Sequence, residues 1–286
     1  MELSAIIIAY NGEFYLPDLT VSLEKDLEWI EHEIIVVDNG STDCGLSLIE
    51  GYCTVRIIRN GTNLGFAKAV NIGINEARGQ YLFILNQDIF FTQECTGILL
   101  KRLKAEQGLG LIGPKFVDLD GVLQHSARAL PTFRHVIYDA LLLSRLFPRH
   151  REFSSWRMGW FNHETELYVE QPLGSAMLVP REVIEKVGLL DEQFPIFFND
   201  VDFCRRLKAA GYKALYCPSA VVEHHHGAST SLRPFAMLIE SHQSMYRYLA
   251  KYAAWYEYPI LWLCGVLLLF GLIPRSIAAL FRPKPI

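Results

Sequence analysis

Tyr81-Leu82-Phe83-Ile84-Leu85-Asn86-Gln87-Asp88 is an apolar run that ends abruptly on polar residues and a carboxylate. Glu33-Ile34-Ile35-Val36-Val37-Asp38 has the same construction and continues into Asn39-Gly40-Ser41-Thr42-Asp43. Apolar runs without alternation are typical of parallel strands that are buried on both faces. Because ligands bind at the carboxyl ends of such strands, we expect Asp38 and Asp88 to lie on one edge of a sheet. Two acids on that edge indicate a site for a metal ion and a nucleotide.

The first 115 residues alternate strand and helix patterns in the βαβ manner, which predicts an α/β fold. The predicted strands are 3–9, 34–37, 55–58 and the run that ends at 88, and the predicted helices are 13–30, 43–50, 66–77 and 93–106. Asn63 before the third helix and Gly79 after it are predicted to cap its two ends. Short strands at 111–116 and 121–124 precede an irregular, basic and aromatic segment at 125–165.

The composition is that of a globular protein and excludes several classes. The chain has 286 residues, of which 51% are hydrophobic and 20% charged, and its net charge of −4 gives no reason to expect a nucleic-acid partner. Residues 101–157 carry ten bases and five acids, a bias that suits a segment facing phosphates or an anionic membrane. The six cysteines form no CxxC pair, which argues against a disulfide framework and a zinc site. No signal peptide is recognisable at the start.

The C-terminal segment differs from the rest of the chain. Residues 258–273 are almost wholly apolar, start beside Pro259, and are followed by Pro274 and by basic residues without an acid. Sixteen residues are fewer than the roughly 20 needed to span a bilayer, so the pattern predicts a re-entrant or interfacial helix at the cytoplasmic leaflet, or else a buried core helix. The amphipathic segment 140–147 is expected to touch a membrane or lipid-linked substrate, or to cover the site as a lid.

Two further motifs carry chemistry. Asp200 and Asp202 stand near a predicted helix start, where the partial positive charge of the helix N-terminus stabilises a carboxylate. A carboxylate there is able to act as a general base toward a hydroxyl. The alternative is simple capping of the helix, with Asp202 paired with Arg205 or Arg206. His224-His225-His226 follows a short strand, and one or two of these imidazoles are expected to bind a metal or a diphosphate. At the strand ends, Asp88 is suited to Mg²⁺ or Mn²⁺, and Asp38 to a nucleobase imide or a ribose hydroxyl.

Taken in this order and spacing, the motifs resemble the family-2 glycosyltransferases of the GT-A fold over residues 3–232, and within them the rhamnosyltransferase branch. The matching pieces are Ile8-Ala9-Tyr10-Asn11, Val36-Val37-Asp38-Asn39-Gly40-Ser41-Thr42-Asp43, Asn63-Leu64-Gly65-Phe66-Ala67, Asn71-Ile72-Gly73-Ile74, Leu85-Asn86-Gln87-Asp88, Gly174-Ser175-Ala176-Met177, Phe198-Asn199-Asp200-Val201-Asp202, and His224 with Gly227 and Ser229. Two positions depart from the family pattern: only Asp88 of its three-residue DxD motif is acidic, and Asn199 stands where the family often has Glu.

The resemblance implies a Rossmann-like, mostly parallel central sheet flanked by helices. It divides the chain into a catalytic domain at 1–232, with a nucleotide-binding half at 1–115 and an acceptor-side half at 116–232, and a helical, membrane-associating appendage at 233–286. It also implies an inverting enzyme that needs Mg²⁺ or Mn²⁺. Asp200 would be the catalytic base, and Asp88 and His224 would hold the metal. The implied substrate contacts are Tyr10, Asn11, Asp38, Asn63, Gly65, Asn86, Gln87 and Asp202.

The expected reaction moves L-rhamnose from dTDP-rhamnose to a hydroxyl of a polyprenyl-diphosphate-linked glycan at the cytoplasmic face of the plasma membrane, in cell-surface polysaccharide synthesis. A UDP-hexose, UDP-hexosamine or galactofuranose donor is the alternative among transferases. A non-catalytic, membrane-associated nucleotide-sugar-binding protein is a further alternative. A sugar-phosphate nucleotidyltransferase is disfavoured, because the first strand is followed by Tyr10-Asn11-Gly12-Glu13 rather than by a Gly-rich loop bearing Lys or Arg.

Overall fold

The computed structural model describes residues 1–92, 94–225 and 234–280, with side chains as far as residue 272. Its strands are β1 Leu3–Ala9, β2 His32–Asp38, β3 Val55–Arg59, β4 Tyr81–Asn86, β5 Ile89–Phe91, β6 Leu109–Val117, β7 Leu123–Gln124, β8 Ala127–Arg128, β9 Leu167–Val169, β10 Gln171–Pro172, β11 Ala176–Pro180 and β12 Lys213–His224. Its helices are α1 Leu16–Asp26, α2 Phe66–Glu76, α3 Cys95–Lys104, α4 Phe133–Ala140, α5 Leu143–Leu146, α6 Arg181–Val187, α7 Asn199–Ala209, α8 Pro234–Tyr252 and α9 Tyr258–Leu280.

The central sheet has the strand order β3-β2-β1-β4-β11-β6-β12-β5, with β7 beside β6 and β9 beside β12. Strands β1 to β4 pair in parallel, and β12 is parallel to β6. β11 is antiparallel to both β4 and β6, so β6 runs in the same direction as β4. Six of the seven strands from β3 to β12 in this order therefore share one direction, which confirms the expected mostly parallel sheet.

Helices cover both faces of this sheet, because successive side chains of a buried strand point to opposite sides. All seven residues of β1 are buried; Ala5 and Ile7 pack in a cluster with α1 and α3, whereas Ile6 and Ile8 pack in another with α2, α6 and α7. Burial of a side chain the size of Ile contributes about 1.5–3 kcal/mol. The continuous apolar runs that predicted buried strands are explained by this two-sided packing.

Several boundaries differ from the sequence predictions. Residues 43–50 form turns and not a helix, because the Asp43 carboxylate accepts hydrogen bonds from the backbone N–H groups of Glu13 (2.8 Å) and Gly45 (3.2 Å). These bonds hold the segment against the loop after β1 and keep it out of helical geometry. The first helix starts at Leu16 instead of residue 13, after a turn closed by the bond from the Tyr15 N–H to the Gly12 carbonyl.

The capping prediction for α2 was wrong at both ends. Gly65, with a φ of +86°, occupies the N-cap position and no side chain caps the helix there, while Ala77 occupies the C-cap. Gly79 instead lies against β1, where a Cβ would come within 2.4 Å of the Ser4 nitrogen. The segment 125–165 is also more ordered than predicted, since it contains β8, α4 and α5.

The C-terminal helix is longer than the apolar run predicted. Helix α9 has 23 residues and continues through Pro274, so the prediction of a segment too short to cross a bilayer was wrong. The stretch from Trp255 to Leu272 is long and apolar enough to cross a membrane by length and composition, and only 11% of it is buried within the chain. Leu261 and Cys264 attach α9 to the rest of the molecule in a cluster with α4, α7 and α8. The domain division at residue 232 stays a prediction, because residues 226–233 lie outside the described part of the chain.

Candidate active site

The carboxyl ends of β1, β2, β4 and β12 form one edge of the sheet, and most of the predicted site residues lie along it. Ala9 pairs with Asp38, the residue before Ala9 pairs with Asn86, and His224 pairs with Ile89 just beyond Asp88. The sheet thus brings Asp38, Asp88 and His224 to the same edge, as the strand patterns predicted for the two acids.

Asp38 lies at the end of β2 and is almost fully buried. Its Oδ1 accepts a hydrogen bond from the backbone N–H of Ser41 at 3.0 Å, which closes the turn that contains Gly40. Gly40 has a φ of +81°, and a Cβ there would lie 2.8 Å from the Thr62 backbone, so only glycine fits. The second carboxylate oxygen of Asp38 is suited to accept a bond from a nucleobase or a ribose.

Tyr10 and Asn11 connect this turn to the end of β1. The side-chain amide of buried Gln87 binds the Tyr10 backbone twice: its Oε1 accepts from the Tyr10 N–H (2.8 Å) and its Nε2 donates to the Tyr10 carbonyl (2.9 Å). Asn11, with a φ of +50°, accepts a bond from the Thr42 N–H at 2.8 Å and donates its own N–H to Ser41 Oγ at 3.0 Å. Gln87 therefore positions the loop that is expected to meet the nucleotide.

Asn39 organises the neighbouring loop, a role that was not predicted from the sequence. This buried side chain donates to Asn63 Oδ1 (3.1 Å) and to the Gly65 carbonyl (3.2 Å), and it accepts from the Leu64 N–H (2.9 Å). Asn63 Oδ1 also accepts from the Gly65 N–H at 3.0 Å. A Cβ on Gly65 would lie 2.9 Å from Pro195, so this loop contacts the segment that leads to Asp200. The signal in the sequence was the amide placed directly after the strand-end carboxylate.

Asp88 and His224 converge across the β5–β12 pair. His224 Nε2 lies 3.5 Å from Asp88 Oδ1, a buried oxygen without a hydrogen-bond donor among the described residues. Gln124 donates its Nε2 to the His224 carbonyl (2.8 Å), so its Oε1 faces the ring Nδ1 at 2.9 Å. The Nδ1–H then donates to Gln124 Oε1, and Nε2 is the ring nitrogen that faces Asp88. Two electron-pair donors in this arrangement fit a shared cation, with Gln124 as the outer partner that fixes the imidazole.

These two side chains are an incomplete metal shell on their own. The described ranges contain no group of three or more His, Cys, Asp or Glu side chains that could hold a metal ion. Mg²⁺ and Mn²⁺ sites at nucleotides are commonly completed by substrate phosphates and water, which suits this open arrangement. Of the remaining motif, His226, Gly227 and Ser229 lie outside the described residues.

Asn86 links the strand-end edge to the loop before β11. Its side-chain nitrogen donates to Ser175 Oγ at 3.2 Å, and its backbone N–H donates to the Ser175 carbonyl at 2.9 Å. The preceding residue, Gly174, leaves room for Asp200, because a Cβ there would lie 2.9 Å from Asp200 Oδ2. The loop before β11 therefore joins the strand that ends at Asp88 to the candidate base.

Asp200 lies in the first turn of α7 with both carboxylate oxygens engaged. Gln171 Nε2 donates to Oδ2 at 2.6 Å, and the Val201 N–H donates to Oδ1 at 2.9 Å. Burial raises the pKa of Asp200, while the bonds from Gln171 and Val201 and the charge of Arg128 oppose that rise. A carboxylate with a raised pKa in a polar site is suited to accept a proton from a hydroxyl.

Asp202 has a different environment from its neighbour. It is fully buried, and its carboxylate accepts bonds from Arg206 Nε (2.8 Å), Lys251 Nζ (2.5 Å) and the Tyr252 hydroxyl (2.7 Å). These contacts tie α7 to the end of α8 and occupy both oxygens. The pairing with Arg206 considered from the sequence is present, and a substrate contact at Asp202 stays a prediction.

Comparison with known proteins is consistent with this geometry. The family model described as glycosyl transferase family 2 matches residues 4–161. The chain is 30% identical over 263 residues to the N-acetylglucosaminyl-diphospho-decaprenol L-rhamnosyltransferase of Mycobacterium tuberculosis, covering 87% of this chain and 83% of that protein. It is 24% identical to the rhamnosyltransferase WbbL of Escherichia coli K12 over 86% of this chain and 92% of that one.

Among solved structures, the mannosyltransferase PcManGT of Pyrobaculum calidifontis, in complex with GDP-Man and Mn²⁺, superposes with a TM-score of 0.59 at 18% identity. The match covers 98% of this chain and 74% of that one, and it supports the fold. The strand-end site, the extent of the family match and the mostly parallel sheet agree with one another. The chain belongs to glycosyltransferase family 2 and is a GT-A glycosyltransferase similar to the rhamnosyltransferases.

Proposed function

We propose that this enzyme transfers L-rhamnose from dTDP-rhamnose to a hydroxyl of a polyprenyl-diphosphate-linked glycan, in cell-surface polysaccharide synthesis. The observation that carries the chemistry is that Gln171 holds the Asp200 carboxylate by a hydrogen bond, while the sheet edge bears Asp38, Asp88 and His224. The transferred sugar and the acceptor are supported by the mycobacterial relative, whose name specifies rhamnosyl transfer to a diphospho-decaprenol sugar and which matches 87% of this chain.

The proposed chemistry is one in-line displacement with inversion. The acceptor hydroxyl loses its proton to the Asp200 carboxylate while its oxygen bonds to the anomeric carbon from the face opposite the leaving group. The bond from that carbon to the diphosphate breaks, and the nucleoside diphosphate leaves with the electron pair. Gln171 holds the carboxylate in place throughout, since its amide donates to Oδ2 at 2.6 Å.

The donor would lie along the strand-end edge. Asp38 would accept a bond from the base or ribose, and the loop of Tyr10 and Asn11 would line the same pocket. Asp88 and His224 would hold Mg²⁺ or Mn²⁺, which would stabilise the charge that develops on the diphosphate. The Gln124 contact keeps the His224 ring in the orientation that this role requires.

The acceptor's lipid points to the cytoplasmic leaflet of the plasma membrane, where we place the enzyme. The apolar side chains that α9 exposes include Trp262 at 71% and Phe270 at 67%. Leu142 and Leu146 of the segment around α5 are also exposed. Apolar side chains of this size at a surface are typical of interfacial helices. Leaflet binding would place the acceptor diphosphate near the acceptor side of the site.

A UDP-hexose, UDP-hexosamine or galactofuranose donor is the competing proposal, because Asp38 would pair with thymine or uracil alike. A thermal-shift panel with dTDP, UDP and GDP, each with and without Mn²⁺, separates these alternatives. We expect the largest rise in melting temperature with dTDP and Mn²⁺ together. A preference for UDP would contradict the rhamnose donor but keep the mechanism, and no shift with any nucleotide would favour a non-catalytic binding protein.

A further inference from the structure

The strands β8 and β10 form a small ribbon beside the catalytic base. Arg128 and Gln171 are directly opposite each other in this antiparallel pair. Directly opposite side chains project to the same face of such a pair. Because the Gln171 amide binds Asp200, the Arg128 side chain projects from the face that meets the base.

The hydrogen bonding of the Arg128 guanidinium is incomplete within the part of the chain that the structure describes. Its Nε is buried and has no hydrogen-bond partner among the residues that the structure describes. Burial lowers the pKa of Arg128, and the charge of Arg157 lowers it further, whereas Asp200 raises it. Asp200 already accepts bonds from Gln171 and Val201, and within the described ranges no hydrogen bond joins it to the guanidinium. Arg128 is half-buried, and a cation in such a place without a hydrogen-bonded anion is costly unless a ligand completes it.

Two further buried polar atoms near the base lack partners in the described part of the chain. They are Oε1 of Gln171, on the amide whose Nε2 binds Asp200, and Nε1 of Trp156. Trp156 packs on Phe198, two residues before Asp200, and its carbonyl accepts a bond from the residue after Arg128. The set therefore offers a cation, a neutral donor and an acceptor to a ligand beside the base.

Arg128 is connected through Arg157 to a helix that is followed by exposed apolar surface. Its electrostatic neighbour Arg157 forms a two-pronged pair with Asp139 of α4, with both N–O distances at 2.8 Å. Just beyond α4, Leu142 and Leu146 are exposed. A molecule whose hydroxyl meets Asp200 and whose lipid meets this surface would carry its linking phosphate between the two.

We propose that Arg128, opposite Gln171, binds a phosphate of the acceptor, so that a sugar linked to lipid through phosphate is selected over the same sugar without it. This proposal rests on the proposed function. The donor diphosphate is assigned to the separate strand-end site of Asp88 and His224, so Arg128 is an acceptor-specificity residue. Gln171 Oε1 accepts a hydrogen bond from a hydroxyl of the same sugar.

The test compares two acceptors with the full-length enzyme in detergent. One is N-acetylglucosaminyl diphosphate on a short prenyl chain, and the other is N-acetylglucosamine attached to the same prenol without phosphate. For Arg128→Gln, we expect KM for the phosphorylated acceptor to rise roughly ten- to hundredfold, as for loss of a hydrogen bond to a charged group. KM for the neutral acceptor and for the donor should change less than about twofold. Arg128→Lys should recover part of the loss.

Arg134→Gln is the matched control, because Arg134 is exposed and pairs with Glu152 on the surface. An equal loss with both acceptors in Arg128→Gln, or no loss with either, would overturn the proposal. If that variant does not fold, the wild type still decides, since equal KM values for its two acceptors would also overturn it. Failure of wild-type enzyme to transfer any sugar to either acceptor would instead contradict the proposed function.

Discussion

Gln171 Nε2 lies 2.6 Å from Asp200 Oδ2, and this bond holds the candidate base at the start of α7. Burial acts on the same carboxyl in the opposite sense and raises its pKa. The net result is a carboxylate with a raised pKa, which suits it to take a proton in a transition state. Together with Arg128 and Gln171, Asp200 forms the proposed acceptor side of the site.

Replacement of Gln171 should shift the pH dependence of transfer. The Gln171 bond stabilises the charged form of Asp200, so its loss in Gln171→Ala raises the pKa of the base further. Activity requires the ionised base and is lost as pH falls through that pKa; the acidic limb of kcat/KM should therefore move to higher pH. A pH–rate profile of both enzymes checks this, and an unmoved acidic limb would argue that Asp200 is not the titrating group.

The imidazole orientation set by Gln124 should control metal affinity. Gln124→Leu removes the acceptor of the Nδ1–H of His224 and frees the ring to change tautomer. We expect apparent Mn²⁺ affinity in the presence of the nucleoside diphosphate to fall about 10- to 100-fold, as for other outer partners of metal-bound histidines. Titration of the thermal shift with Mn²⁺ measures this. Gln243→Leu, on the exposed face of α8, is the control, and equal metal affinity in both variants would contradict the assignment.

Asp202 should matter for stability more than for substrate affinity. Asp202→Ala leaves Arg206 and Lys251 without their buried partner, and removal of one member of a buried ion pair costs about 3–5 kcal/mol. Urea unfolding of Asp202→Ala beside Asp120→Ala, an exposed substitution, measures the difference. Nucleotide affinity of the folded variant should match the wild type, and a selective loss of nucleotide binding at unchanged stability would restore the substrate-contact role.

The exposed apolar face of α9 should set membrane affinity. Trp262→Glu combined with Phe270→Glu places two charges on side chains that are 71% and 67% exposed, so folding should be preserved. We expect binding to anionic phospholipid vesicles in a flotation assay to fall at least tenfold, because charge replaces large apolar groups at the interface. Trp29→Glu is the control, because Trp29 is 85% exposed and lies far from α9 in the sequence. Equal loss in both would contradict a specific role for α9.

The strands of the nucleotide half could be predicted because their burial leaves an unmistakable pattern. The run ending at Asp88 and the run ending at Asp38 are apolar without alternation, and both form parallel strands where expected. The turns at 43–50 could not be predicted, because their geometry depends on the bond that the Asp43 carboxylate accepts from a loop distant in sequence. Local composition alone favoured a helix there.

The site was predicted in part for the same reason. Residues at strand ends, such as Asp38 and Asp88, could be placed by the sheet rule, and Asp200 by its place at a helix start. Gln124, Gln171 and Arg128 were missed as functional residues, because each acts through a partner that only the folded chain brings near. The bonds of Asp202 to Lys251 and Tyr252 could not be predicted either, because these partners belong to a later helix.

The most direct measurement is a transfer assay of wild-type enzyme and Asp200→Asn with dTDP-rhamnose and N-acetylglucosaminyl diphosphate on a short prenyl chain, with the product identified by mass spectrometry. We expect rhamnosylated product from the wild type, none above about a thousandth of that rate from Asp200→Asn, and equal dTDP binding in both. Burial raises the pKa of Asp200, so ionisation of this carboxyl opposes folding above that pKa. Replacement by the neutral Asn should therefore not lower the melting temperature at pH 7. Undiminished turnover in Asp200→Asn would contradict the account.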